Sequence, residues 1–202
     1  MSAMQLYLIR HTRPGVPEGL CYGRQDVALD PLDFQARLPL IARQLPPGML
    51  FHTSPAARCT RLAEVLAELG GGTLAAPDAR LHEMDFGAWE GRLWRDLPWE
   101  ETTRWTSDIV HYSPPEGENF MAMWARVEAF HQEVIRNASA EGHGALGIVG
   151  HAGSLKVLIM QALKLEPRQF GAFELSQGHV SRLDVSFSAE ETLVEKLVFL
   201  NR

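Results

Sequence analysis

The chain has 202 residues, 46% hydrophobic and 22% charged, with a formal net charge of −6 and a pI near 5.7. These values describe an ordinary globular chain able to bury a substantial core, with no polar tract long enough to stay unfolded. The acidic balance argues against nucleic acid or anionic lipid as a partner, and the absence of about 18 consecutive apolar residues argues against a membrane helix.

Gln5 to Ile9 has strand composition and runs into Arg10-His11, where Thr12, Arg13, Pro14 and Gly15 stop it. Residues 31 to 45 show helical spacing at Phe34, Leu38, Ile41 and Leu45. Pro39 removes an internal hydrogen bond there and crowds the preceding turn, so a kink or two short helices are expected. Met49 to Phe51 reads as a second strand. After Ser54-Pro55, the spacing of Leu62, Val65, Leu66 and Leu69 predicts a helix over 57–69, ended by Gly70-Gly71-Gly72. Residues 84 to 118 differ from the rest, with three Pro, four of the five Trp and few periodic runs. They read as a cap insertion, at about 84–118, within one domain spanning 1–202. Phe120, Met123, Trp124, Val127, Phe130 and Val134 predict an amphipathic helix between Asn119 and Arg136. Ala145 to Val149 is a third strand, and Leu155, Leu158, Ile159 and Leu163 mark a helix that opens just after Gly153-Ser154. Val180 to Phe187 and Thr192 to Leu200 alternate and read as a closing, antiparallel pair. The alternation of strand and helix indicates an α/β fold.

Cys21 and Cys59 stand singly without C-x-x-C spacing, which suggests neither a disulfide framework nor a zinc knuckle. The N-terminal MSAMQLYLIRH lacks the features of a signal peptide, and a cytoplasmic location is expected. The sequon at Asn137 carries no meaning in that setting.

In open α/β sheets ligands bind beyond the carboxyl ends of the strands, where helix N-termini offer N–H groups to anions. The first strand delivers Arg10-His11, the second Thr53-Ser54-Pro55 with Arg58 in the following turn, and the third Gly150-His151-Ala152-Gly153. Several cations gathered where helix dipoles are also positive are unfavourable without an anion among them. A phosphate suits that place.

The segments LIRHT, TSPAARCTRLAEVL, LHEMDFGAWEG and VGHAG, in that order over residues 6 to 153, resemble the histidine phosphatase superfamily, the phosphoglycerate-mutase-like fold family. The resemblance implies a three-layer αβα sandwich with a mostly parallel central sheet. It also implies that His11 accepts the phosphoryl group, that Arg10, Arg58 and His151 surround its oxygens, and that Glu83 donates the proton. Thr12, Arg24 and Ala152 join the expected substrate-binding set. A neutral imidazole can attack phosphorus in line, flanking cations favour its neutral form and stabilise the equatorial oxygens, and no metal or other cofactor is then needed.

Alternatives stay open at this level. Asp85 stands two residues from Glu83 and can be the acid instead. Arg24 in CYGRQDVAL can be a solvated loop residue. His82-Glu83 starts a metalloprotease-like pair, but Phe86 stands where the second His belongs. His179, before a closing strand, is read as structural, and His52, His111, His131 and His143 have no partner spacing. The family's usual Gly after Arg-His is Thr12 here, whose Cβ crowds a close approach while its hydroxyl adds a donor. PPEGENF, residues 114 to 120, resembles the segment that opens the helix after the lid in small phosphatases of the family, with Asn119 as the cap.

Within the family the short insertion favours hydrolysis over mutase transfer, and YGRQDVAL with PPEGE looks most like the α-ribazole phosphatase type. The expected partner is a small-molecule phosphate ester. A homodimer is left open. The tryptophans are either a stacking platform for a flat leaving group or the insertion's own core. The other readings are a mutase, a non-catalytic phosphate- or protein-binding module, and a metal-dependent hydrolase using His11, His151, Glu83 and Asp85.

Overall fold

The computed structural model describes residues 4–187 and 193–202. Six strands form one sheet, β1 (Met4–Arg10), β2 (Leu50–Thr53), β3 (Thr73–Leu74), β4 (Ala145–Gly150), β5 (Val180–Phe187) and β6 (Leu193–Phe199), in the order β3-β2-β4-β1-β5-β6. The first four are parallel to one another, and β5 and β6 close the sheet by antiparallel pairing. This is the expected α/β arrangement. The closing strands fall where the alternation places them, although Thr192 lies outside the described residues.

Helices α1 (Pro31–Ala42) and α2 (Ala57–Gly70) cover one face of the sheet, and α4 (Phe120–Glu141) and α5 (Ala152–Ala162) cover the other, with α3 (Trp99–Ser107) in the segment 84–118. The central strands read as apolar runs because both their faces are covered. Tyr7, Ile9, Phe51 and Val149 meet Ile41, Leu62 and Leu66 on one side. Leu6, Leu8, Leu146 and Ile148 meet Phe130, Val127, Leu155 and Leu158 on the other. The result is the three-layer sandwich.

Two local expectations change. No break occurs at Pro39: α1 is one helix with Pro39 inside it. Pro39 and Gln35 both face solvent, so the carbonyl deprived of its partner is on the wet side. The helix stops three residues later. Helix α5 begins at Ala152, one turn earlier than its leucine pattern, and this brings its first N–H groups up to the strand ends.

Residues 84–118 fold as short turns and α3 around Trp89 and Leu97, with Phe86, Trp94, Trp105 and Tyr112 packed against them and Cys21 joining from the loop after β1. The Glu90 carboxylate accepts N–H bonds from Arg24 at 2.7 Å, Gln25 at 2.5 Å and Phe86 at 3.1 Å. That ties the 21–25 loop to this segment.

Candidate active site

Three neighbouring strands end at one level. Arg10 lies opposite Gly150, and Thr53 opposite Val149. One residue further, the His11 N–H donates to the Gly150 carbonyl at 3.1 Å and the Ser54 N–H to the Val149 carbonyl at 3.0 Å. His11, Ser54 and His151 are thereby adjacent, because parallel strands in register release their chains together.

His11 is 2% exposed. Its Nδ1–H donates to the Thr12 carbonyl at 2.7 Å. A carbonyl only accepts, so the ring proton is on Nδ1 and Nε2 keeps its lone pair. Burial, then the Arg58 charge and, more weakly, Arg10, lower the His11 pKa to about 3. The ring is neutral at neutral pH. With Arg10, Tyr22, Gly23, Glu83 and Phe86 it lines a hollow of about 170 Å³.

Arg58, in the first turn of α2, is 1% exposed. Its guanidinium donates to the Gly23 carbonyl at 2.7 Å, the Gln25 carbonyl at 2.9 Å and His151 Nδ1 at 3.2 Å. The Asp26 carboxylate approaches it only to 4.0 Å. A buried cation at a helix N-terminus with so remote a counter-charge is costly on its own, and an incoming anion relieves it. Nε of Arg58 and Nε of Arg10 are both buried without an acceptor. Arg10 also donates from its terminal nitrogen to the Leu175 carbonyl.

His151 stands edge-on to His11, ring centroids 5.2 Å apart. Its Nδ1 accepts from Arg58, so the proton is on Nε2, which donates to Ser54 Oγ at 2.8 Å. Burial and the neighbouring His11 and Arg58 hold its pKa well below the usual histidine range. Both ring nitrogens are occupied here, and His151 adjoins the hollow through its edge-on contact with His11.

The Glu83 carboxylate sits over the start of α5, accepting from the Gly153 N–H at 3.0 and 3.1 Å and from the Met84 N–H at 3.0 Å. A helix N-terminus favours such a carboxylate. Gly153 is what allows the approach, since a Cβ there meets Glu83 Oε1 at 2.2 Å.

Two buried neutral histidines make the fold acid-sensitive. The folded pKa of His11 lies below the unfolded value near 6.5, so at lower pH the unfolded chain binds more protons. Its share of the stability is intact above pH 6.5 and falls by up to about 1.4 kcal/mol per pH unit down to about pH 3, with His151 adding a loss of the same sign. Urea unfolding at pH 7 and pH 5 is expected to show the loss, and His11→Gln to remove part of it. Equal midpoints at the two pH values contradict the assignment.

Arg10, His11 and Glu83 thus line one hollow, with Arg58 and His151 directly behind His11. Thr12 is fully buried with its hydroxyl unpartnered, and Ala152 opens α5 beside His151. Arg24 is directed elsewhere: its guanidinium pairs with Asp85 at 3.3 Å and Glu118 at 3.4 Å. Asp85 is engaged with Arg24 and the Gly87 N–H at 2.9 Å, which separates it from Glu83's position. Among the described residues no three His, Cys, Asp or Glu side chains converge as metal ligands. His131 is in buried contact with Glu195 at 2.8 Å, far from the strand ends. Sequence reasoning missed Ser54, Tyr22 and Gly153 as individual residues. Tyr22 and Gly153 lie in quoted segments, but their contacts come from chain regions 70 to 155 residues away.

The profile of the histidine phosphatase superfamily (branch 1) matches residues 6–196. An adenosylcobalamin/α-ribazole phosphatase from Escherichia coli (strain K12) is 29% identical over 201 residues, which is 91% of each chain. One of the same name from Salmonella typhimurium is 34% identical over 108 residues, 52% of each chain. The crystal structure of the α-ribazole phosphatase from Shigella flexneri matches with a TM-score of 0.82 at 25% identity, covering 98% of this chain and 96% of that one.

Proposed function

This chain belongs to the histidine phosphatase superfamily and is a phosphatase; from that premise we propose that it cleaves small-molecule phosphate monoesters through a phosphohistidine on His11, without a metal. The observation that carries the reading is the neutral His11, its proton pinned on Nδ1 by the Thr12 carbonyl, in a hollow shared with Arg10 and Glu83.

The Nε2 lone pair attacks phosphorus while the ester P–O bond breaks and Glu83 delivers a proton to the departing oxygen. Water then attacks the phosphohistidine and the P–N bond breaks. Glu83 takes a proton from that water, and inorganic phosphate leaves. Arg10 and Arg58, each with a buried Nε lacking an acceptor, stabilise the phosphoryl oxygens, and His151 keeps Arg58 in place and joins them when its Nε2–H leaves Ser54. Residues 84–118 act as the cap within a single domain. The physiological ester is α-ribazole 5′-phosphate in this reading, by similarity to relatives of that name. A panel of phosphomonoesters ranked by kcat/KM, with and without EDTA, tests it: preference for α-ribazole 5′-phosphate with EDTA inert supports the reading. Loss of turnover in EDTA, or rapid isomerisation of 3-phosphoglycerate with a bisphosphate primer, overturns it.

Glu83→Gln is expected to lose about 100-fold or more in kcat on alkyl esters and far less on p-nitrophenyl phosphate, whose leaving group needs no proton. Gly153→Ala should reproduce that selectivity at about 10- to 100-fold, because the new Cβ displaces the carboxylate while the helix tolerates alanine. Equal losses on both esters contradict the acid role.

A further inference from the structure

The backbone that carries Glu83 is held by one side chain from α4. The carbonyls of Arg80, His82 and Glu83 accept from the guanidinium of Arg126 at 2.6, 2.8 and 3.1 Å. Its remaining N–H groups meet Glu118, Nε donating to one carboxylate oxygen at 3.2 Å and Nη2 to the other at 2.6 Å. All five guanidinium donors are thereby placed, in a forked pair whose side chains are only 15% and 13% exposed.

The helix explains the placement. Arg126 stands three residues after Met123 and four before Phe130, both buried, so it flanks the apolar stripe of α4 where that helix packs on the turn Ala79–Leu81. Glu118, just ahead of the Asn119 cap, also accepts from the Asp85 N–H at 3.0 Å. The pair therefore grips the chain on both sides of Glu83, through carbonyls 80, 82 and 83 and through the N–H of 85.

Arg126 does not line the hollow and has no donor to spare for a phosphate. Its influence on the chemistry runs through Glu83 alone. The Glu83 carboxylate is seated on the Gly153 N–H, and its Cα is fixed by the Arg126 clamp. Proton transfer requires heavy atoms about 2.6–3.2 Å apart, and a misplacement of about 1 Å costs as much as about 100-fold.

We propose that Arg126, paired with Glu118, is a positioning residue for proton transfer: by clamping the backbone of residues 80–83 it holds the Glu83 carboxylate against the departing oxygen. The proposal rests on the acid role of Glu83 given above and deepens it.

The test uses the full chain, p-nitrophenyl phosphate and whichever alkyl ester of the panel above has the highest kcat/KM. Arg126→Lys keeps the charge beside Glu118 but loses the fork that reaches three carbonyls. It is expected to lower kcat on the alkyl ester by about tenfold while leaving p-nitrophenyl phosphate within about threefold, with KM little changed. Arg126→Met should move the same ratio further in the same direction. Added to Glu83→Gln, Arg126→Lys should cost less than about twofold more on the alkyl ester, because the group it positions is already gone. A general loss of packing lowers both esters alike and adds in full to Glu83→Gln. Either of those results for Arg126→Lys, with Glu83→Gln itself selective for the alkyl ester, overturns the proposal and leaves the acid role standing. Equal losses on both esters in Glu83→Gln overturn the acid role, and the proposal with it.

Discussion

His11→Ala is expected to lower kcat by on the order of 10⁵-fold, about 7 kcal/mol in the barrier, and to abolish acid-labile labelling from a radioactive phosphate donor. No other side chain lining the hollow offers a free nitrogen lone pair: Arg10 and Trp94 only donate. The fold should survive, because His11 contributes one hydrogen bond, to its own neighbour, and its burial within a cationic cluster stabilises little. Measured by rapid quench, the residual rate of the variant separates positioning by the arginines from covalent participation. Retained labelling in the variant rules out His11 as the acceptor.

Arg58→Met is expected to lower kcat/KM by about 1,000-fold, the scale of losing a guanidinium from the phosphoryl oxygens. It should also change the pH profile. After burial, the Arg58 charge is the largest cause holding His11 near pKa 3, so its removal raises that pKa toward 6.5. The acid limb of kcat/KM then moves to higher pH. Methionine also leaves the Gly23 and Gln25 carbonyls without their donors, and Arg58→Lys is the control for that. Lysine keeps the charge and so the acid limb, while losing the planar fork and much of the rate. An acid limb in the methionine variant identical to that of the wild type contradicts the electrostatic account of His11.

Much of this molecule is legible without coordinates. The strands before His11 and His151 are apolar runs bounded by glycine or polar turns, and helix α2 is a clear amphipathic repeat closed by three glycines, the middle one left-handed. Asn119 caps α4 from its own side chain at 2.9 Å, a signal carried entirely within PPEGENF. The failures have physical reasons. Pro39 looks like a break because its local cost is visible in sequence, whereas the solvent exposure that makes the cost tolerable is not. The partners of Arg24, Asp85 and Glu118, stand 61 and 94 residues along the chain, beyond the reach of local sequence pattern.

By itself the sequence determined the layered α/β frame and the identities of the groups delivered to the strand ends, because period-2 and period-3.6 burial and turn chemistry act over a few neighbouring residues. Only the tertiary structure decided that His11 meets Glu83 in one hollow, that His151 is shared between Arg58 and Ser54, and that Gly153 admits Glu83. Those outcomes depend on distances and desolvation among segments separated by 70 to 97 residues. Such long-range terms exist only once the strands have paired and water has been driven from between them.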